Sequence, residues 1–259
     1  MSITETLYTI VGRGSLATAS YLEELAKSNM LQKFWEPIYD LTLAEHSPDY
    51  HPEGKTVFLH VLAALRVKDF KNTDVINGII FHDIGKPASK EFVDGRWKYK
   101  KHSKLGLDVF DAIPNYFSEG ECQIIKHCIR YHMNIVDLNE MSYKKIIKMM
   151  PCKYYWEVLK EVMYADSACR GFPLFNEDEF AATITRTEKM VGEFREYLFE
   201  KEKISKLIDG RKIINLIPNI SGKDIGKVKM FVIDQINKKD YNITDEEINE
   251  LILTYEMWL

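Results

Sequence analysis

The sequence predicts an almost all-α fold, a helical bundle carrying one short β-hairpin and followed by a C-terminal helical extension. Three observations predict it. Apolar residues recur at helical spacing along most of the chain, as in Tyr21, Leu22, Leu25, Leu31, Phe34, Trp35, Ile38 and Leu41. A single segment, around Asp94-Gly95, has the turn chemistry and flanking apolar residues of paired strands. The 259 residues, 46% hydrophobic and 29% charged with 13 glycines and 8 prolines, can bury a core without disulfides or structural metal. That composition excludes disordered, collagenous and low-complexity classes.

The elements follow in order. Residues 20–45 suit two short amphipathic helices broken near Pro37, and HSPDYHPEG (46–54) reads as a loop. Residues 56–69 and 75–85 have the wide apolar faces of buried helices, the second stopped by Gly85 and Pro87. Phe92, Val93, Trp97 and Tyr99 flank the Asp-Gly turn, and alternation puts Arg96 and Lys98 on one face, Trp97 and Tyr99 on the other. Helical spacing returns at 102–114, 119–133, 142–150 and 155–170. After a punctuated loop at 170–179 come a long polar-rich helix at 178–208 and another at 221–236. Thr244 and Glu247 form a capping box for the last helix. These elements group as a lead-in (1–50), a central domain (51–172) and a C-terminal helical region (173–259).

Charge and cysteine usage narrow the function. With 35 basic and 39 acidic residues the net charge is −4, which disfavours a globally basic nucleic-acid binder but permits a local basic patch. Cys122, Cys128, Cys152 and Cys169 form no CxxC pair and read as ordinary buried thiols of a reducing compartment. No apolar run reaches the roughly 18 residues of a membrane span, and the first residues lack a signal-peptide pattern. A soluble, cytoplasmic protein without a membrane partner is expected.

The chemistry lies in a few histidines and carboxylates. His60 lies on one predicted buried helix, His82-Asp83 ends the next, and Asp166 lies on a later one. Alone, each has an ordinary use, since a histidine on an apolar helix is more often a hydrogen-bonded core residue than a ligand. An imidazole beside a carboxylate in IIFHDIGK, however, costs desolvation unless both are compensated. A divalent ion compensates both, and two imidazoles with two carboxylates make a mixed N/O donor set for Mg, Mn, Ni, Co, Fe or Zn. Such an ion acidifies water and polarises a phosphoryl oxygen.

The order His60, His82-Asp83 within HDIGK, then Asp166 resembles the HD superfamily of metal-dependent phosphohydrolases. The flanks sharpen the likeness. EHSPDYHPEGKTVFLHVLAAL is similar to the segment opening the HD domain of bacterial CCA-adding enzymes, the tRNA nucleotidyltransferases. FVDGRWKYKKHSKLG, IRYH and ADSACRG are similar to later elements of that domain, LEELAKSNMLQKFWEPI to its helical lead-in, and GKDIGKVKMFVIDQI to the C-terminal body. The region before residue 22 holds no counterpart of the family's nucleotidyltransferase head, so nucleotide addition is not expected.

The resemblance implies an HD-domain bundle in which His60, His82, Asp83 and Asp166 ligate the metal. It implies a place for Lys86 near substrate phosphate, although a solvated helix-end cation is an equal alternative. His102 and His132 match positions that hold a second ion in some members and contact substrate in others. Together with Asp83, which can accept a proton from the attacking water, Lys86, His102 and His132 form the expected catalytic set. Arg170 either pairs with substrate phosphate or caps structure. His127, about 140° around a helix from His132, is not expected at the site; His46 and His51 lie in the loop before the first ligand helix, and His51 of HPEG is expected to be structural.

Between residues 86 and 104, Lys86, Lys90, Arg96, Lys98, Lys100, Lys101 and Lys104 face only Glu91 and Asp94 in the count of charges. Such a run is usually a solvated face. Beside a phosphate-cleaving site it is also an anion funnel, with Arg96 and Lys98 expected to touch substrate. The expected activity is a phosphatase or 2′,3′-cyclic phosphodiesterase acting on a nucleotide or RNA end. The alternatives are a (deoxy)nucleoside phosphate hydrolase and a non-catalytic RNA-binding module.

Overall fold

The computed structural model describes residues 3–113, 117–237 and 244–256, and the chain divides into two compact units, Met1–Thr187 and Glu188–Leu259. The first unit opens with α1 (Ile3–Val11), α2 (Ser15–Lys27), α3 (Leu31–Phe34) and α4 (Glu36–Asp40). Pro37 falls at the start of α4, where its missing N–H costs nothing, so the expected break lies just before it, at Trp35. Helix α1 was not legible in the short threonine-rich stretch that forms it; packing on α2 and on a later buried helix supports it.

Two buried helices follow. In α5 (Val57–Leu65), Thr56 caps the N-terminus by accepting from Leu59 N–H, and α6 (Thr73–Phe81) is capped by Asn72. Both helices end earlier than their apolar patterns imply. The HDIGK segment beyond Phe81 is a run of tight turns, with Ile84 N–H donating to Phe81 O and Lys86 N–H to Asp83 O. A short 3₁₀ turn at Pro87–Ser89 then leads into the hairpin.

Strands β1 (Lys90–Val93) and β2 (Arg96–Tyr99) pair antiparallel, Val93 opposite Arg96, and Asp94 (φ 53°) and Gly95 (φ 76°) take the two left-handed positions of the expected two-residue turn. Beyond it lie α7 (His102–Asp111), α8 (Glu119–Tyr131), a 3₁₀ stretch at His132–Glu140, α9 (Tyr143–Met149) and α10 (Lys153–Ala168). Residue 114, the last of the predicted 102–114 helix, lies outside the described residues.

Helix α10 packs against α5, α6 and α8 around an aliphatic and aromatic core that includes Val61, Ile80, Phe81, Ile125 and Val162. Gly78 permits this approach: a Cβ there would lie 2.7 Å from Val162 Cγ2 and 3.1 Å from Cys128 Sγ. Of the four cysteines, Cys128 is buried as expected. Cys152, at the N-terminus of α10, is exposed, and Cys122 and Cys169 are half-buried at the edge of the core.

Helix α11 spans Glu177–Leu207. In the second unit, α12 (Gly210–Leu216), α13 (Gly222–Asn237) and α14 (Asp245–Glu256) enclose their own core of Ile208, Ile213, Val228, Val232, Ile248 and Ile252. Asp209 caps α12, a helix too short to register as a periodic pattern, by accepting from Lys212 N–H. Thr244 and Glu247 exchange the two bonds of the expected capping box. Among the described residues no helix is long and apolar enough to cross a membrane.

Candidate metal centre

The end of α6 and the middle and end of α5 and α10 bring His60, His82, Asp83 and Asp166 to one place. His60 Nε2 lies 3.0 Å from Asp166 Oδ1 and 3.9 Å from Asp83 Oδ2. His82 Nε2 lies 3.3 Å from Asp83 Oδ2 and 3.9 Å from Asp166 Oδ1. All four residues are buried. His102 and His132 reach Asp83 from the other side, each with Nε2 3.5 Å from Oδ1 and the two Nε2 atoms 3.2 Å apart.

Glycine sets this second approach. A Cβ on Gly85 would lie 2.0 Å from His102 O and 2.4 Å from Gly106 N, so the HDIGK turn sits directly on the first turn of α7. The pairing of Gly85 with HSKLG thereby delivers His102 to Asp83.

The protons of these rings are fixed by their outer partners. His82 Nδ1 faces Ile79 O at 2.7 Å, His102 Nδ1 faces Tyr99 O at 2.8 Å, and His132 Nδ1 faces Ile129 O at 3.0 Å. A carbonyl only accepts, so each Nδ1 donates and, in the neutral ring, each Nε2 presents a lone pair inward. Those lone pairs face one another and two carboxylates. His82 Nε2 and Asp83 Oδ1 are buried without a hydrogen-bond partner among the described residues, whereas Asp83 Oδ2 is ion-paired with Lys86. The Lys86 ammonium lies 2.5 Å from Asp83 Oδ2. His127 shows the contrasting case: away from the centre, as expected, its Nε2 lies 3.0 Å from Met149 O.

Burial would raise the Asp83 carboxyl, but Lys86, His82 and His132 outweigh it and hold it well below the usual carboxylate range. Asp166 is likewise held low, burial being overcome by His60 and His82. For His60 burial disfavours the charged ring, yet Cys169, Asp166 and Glu53 around it prevail and its pKa stands well above the ordinary imidazole value. The centre thus demands positive charge between its nitrogens and carboxylates. These buried His/Asp groups can hold one or more metal ions, as three overlapping sets: His60, His82 and Asp83; Asp83, His102 and His132; and His46, His51, Glu53 and His60. The unpartnered His82 Nε2 and Asp83 Oδ1 are the observation that such an ion fits.

A cleft of about 250 Å³ opens on the centre, lined by His51, Lys86, Tyr99, His102, Asp166 and Arg170 and walled by Met133, Ile135 and Val136. Lys86 is buried, so it is not a solvated helix-end cation. Arg170 is half-buried with its Nε unpartnered among the described residues. Arg96 and Lys98 do not line this cleft. Strand alternation turns them away: Arg96 Nη1 contacts Tyr50 Oη at 3.5 Å and Lys98 pairs with Asp94 at 3.0 Å. Tyr99, on the opposite face, reaches the cleft, and with Trp97 it binds Glu45, Tyr99 Oη donating to Glu45 O and Trp97 Nε1 to Glu45 Oε2.

Three residues at the centre were not legible as such. Glu53 Oε1 lies 2.5 Å from His60 Nδ1 and 2.9 Å from His51 Nδ1. His46 Nε2 accepts from Lys86 Nζ at 3.1 Å, and burial with Lys86 beside it pushes His46 down to about 2. Cys169 Sγ lies 3.4 Å from His60 Nδ1. The available signal for Glu53 was its place seven residues before His60, just outside the α5 cap, where a loop folding back on the helix meets the ring. Against models of known protein families, curated proteins and solved structures, the chain gives no significant match.

Proposed function

We propose that the protein is a metal-dependent phosphohydrolase of the HD type, acting on the phosphate ester of a nucleotide-sized substrate. The observation that carries this reading is the inward, unpartnered His82 Nε2 and Asp83 Oδ1, beside a cleft bearing Lys86 and Arg170. His60, His82, Asp83 and Asp166 would hold the ion, with His102 and His132 available to a second one or to substrate. The ion, when bound, supplies Lewis-acid polarisation and a more acidic water.

The side chains do the rest. Lys86 and Arg170 bind the phosphoryl oxygens and offset their charge. Asp83 Oδ1, the oxygen not paired with Lys86, faces His102 and His132 and is the atom placed to accept a proton from an attacking water. His102, pushed down to about 4 mainly by burial, stays neutral near pH 7 and acts as acceptor rather than cation. The apolar wall of Met133, Ile135 and Val136 suits the face of a base in a cleft of about 250 Å³.

Phosphate release from p-nitrophenyl phosphate, with Mn²⁺ and with chelator, tests the class. Metal-dependent release is expected, and no release with any of the six candidate metals would remove the reading. A panel of mononucleotides, 2′,3′-cyclic nucleotides and phosphorylated RNA ends then ranks the substrates, with mononucleotides expected first. RNA binding without turnover would favour the non-catalytic module.

A further inference from the structure

We propose that Glu53 is a positioning residue of this centre, one carboxylate that sets both the metal-facing ring of His60 and the cleft-facing ring of His51; the proposal rests on the metal-site reading above. Glu53 lies in the loop before α5 with its side chain almost wholly buried, and its Oε1 meets both Nδ1 atoms. An ionised carboxylate can only accept, so both rings donate through Nδ1. His60 Nε2 is thereby left toward Asp166, and the His51 ring toward the cleft.

The arrangement extends outward. His51 stacks on His46 at 3.7 Å, and His46 in turn touches Lys86. Without Glu53, the neighbour left to His60 Nδ1 is the Cys169 sulfur at 3.4 Å, a weak acceptor. The loop has few ways to substitute another acceptor, because it is pinned by the Glu45–Thr56 bridge and by His46 N–H on Lys55 O. A carboxylate that holds the outer nitrogen of a ligand histidine fixes ring orientation and raises ligand basicity, and its loss typically weakens metal binding about 10- to 100-fold.

The experiment titrates Zn²⁺ calorimetrically into ion-free wild type, Glu53→Ala and Glu53→Gln, and follows the His60 Nδ1–H proton by NMR. In wild type that proton is expected to be protected from exchange. Glu53→Ala should bind Zn²⁺ about 10- to 100-fold more weakly and lose the protected signal. Glu53→Gln keeps an acceptor without the charge, so it should retain the signal and lie between the two in affinity. A folded Glu53→Ala with wild-type affinity and a protected proton overturns the proposal. Should the alanine variant not fold, wild-type affinity in Glu53→Gln overturns it and an intermediate affinity supports it. No Zn²⁺ binding by wild type would remove the metal-site reading instead, and the proton signal then decides the role of Glu53 by itself.

Discussion

The hairpin and the buried centre are both crowded with charge, and they dispose of it differently. On the hairpin the cations have partners of their own: Lys98 on Asp94, Arg96 on the Tyr50 hydroxyl, Lys90 over the Trp97 ring at 4.0 Å and on Leu43 O. In the centre, Lys86 pairs with Asp83 Oδ2, but His82 Nε2 and Asp83 Oδ1 are buried without directed partners among the described residues. A folded chain tolerates unsatisfied buried polar atoms where something else is to satisfy them. The count of charges marks the hairpin, whereas the state of each atom marks the centre.

The largest test of that contrast is Asp83→Ala. The carboxylate lies between both sets of imidazoles, so turnover of a generic phosphate ester should fall to the uncatalysed level. Breaking the buried Lys86–Asp83 pair costs about 3–5 kcal/mol, so a thermal melt should shift down yet still show a cooperative fold. Near-normal rates in that folded variant would break the comparison.

Next is Gly85→Ala. Its Cβ would overlap the His102 carbonyl, so α7 must shift; overpacking of this kind costs about 1–3 kcal/mol, visible as a lower melting temperature, with a loss of turnover as His102 leaves Asp83. An unchanged melt and rate would mean that the turn and α7 are not in the close contact described.

Arg170→Ala comes third. Removal of a half-buried guanidinium facing the cleft should raise KM about tenfold and leave kcat within about twofold. An equal fall in kcat and kcat/KM would instead place Arg170 at the transition state.

The smallest effect is expected from replacing Arg96 and Lys98 together by alanine. Exposed pairs contribute about 0–1 kcal/mol, so KM, its salt dependence and the melting temperature should hardly move. A several-fold rise in KM for polynucleotides, with a flatter salt slope, would return the basic face to the substrate-binding surface.

The helices long enough for periodicity to repeat were legible in the sequence, as were the Asp-Gly hairpin and the Thr244 capping box. Helix α12, held by the Asp209 cap, was not, nor was α1, whose three threonines are weak helix formers. In the centre, the types and order of His60, His82, Asp83 and Asp166 were readable because an imidazole beside a carboxylate in an apolar run needs a reason. The place of Glu53 was not, since loop geometry decides which carboxylate meets a ring. The direction of Arg96 and Lys98 was half readable: alternation separated them from Tyr99 but did not say which face the cleft would take.

The loop that carries His46, His51 and Glu53 is joined at its ends by the Glu45–Thr56 bridge and tied to the hairpin by the Glu45 bonds of Trp97 and Tyr99. Its consequence is entropic. Fixing the backbone of one residue costs about 1–2 kcal/mol, so a ligand that had to order even three residues of this loop would spend several kcal/mol of its binding free energy. Here folding has already met that cost, together with the loop's closure. An arriving ion or phosphate therefore encounters rings that are already aimed, and its affinity reflects contact and desolvation, with little lost to arranging the chain around it.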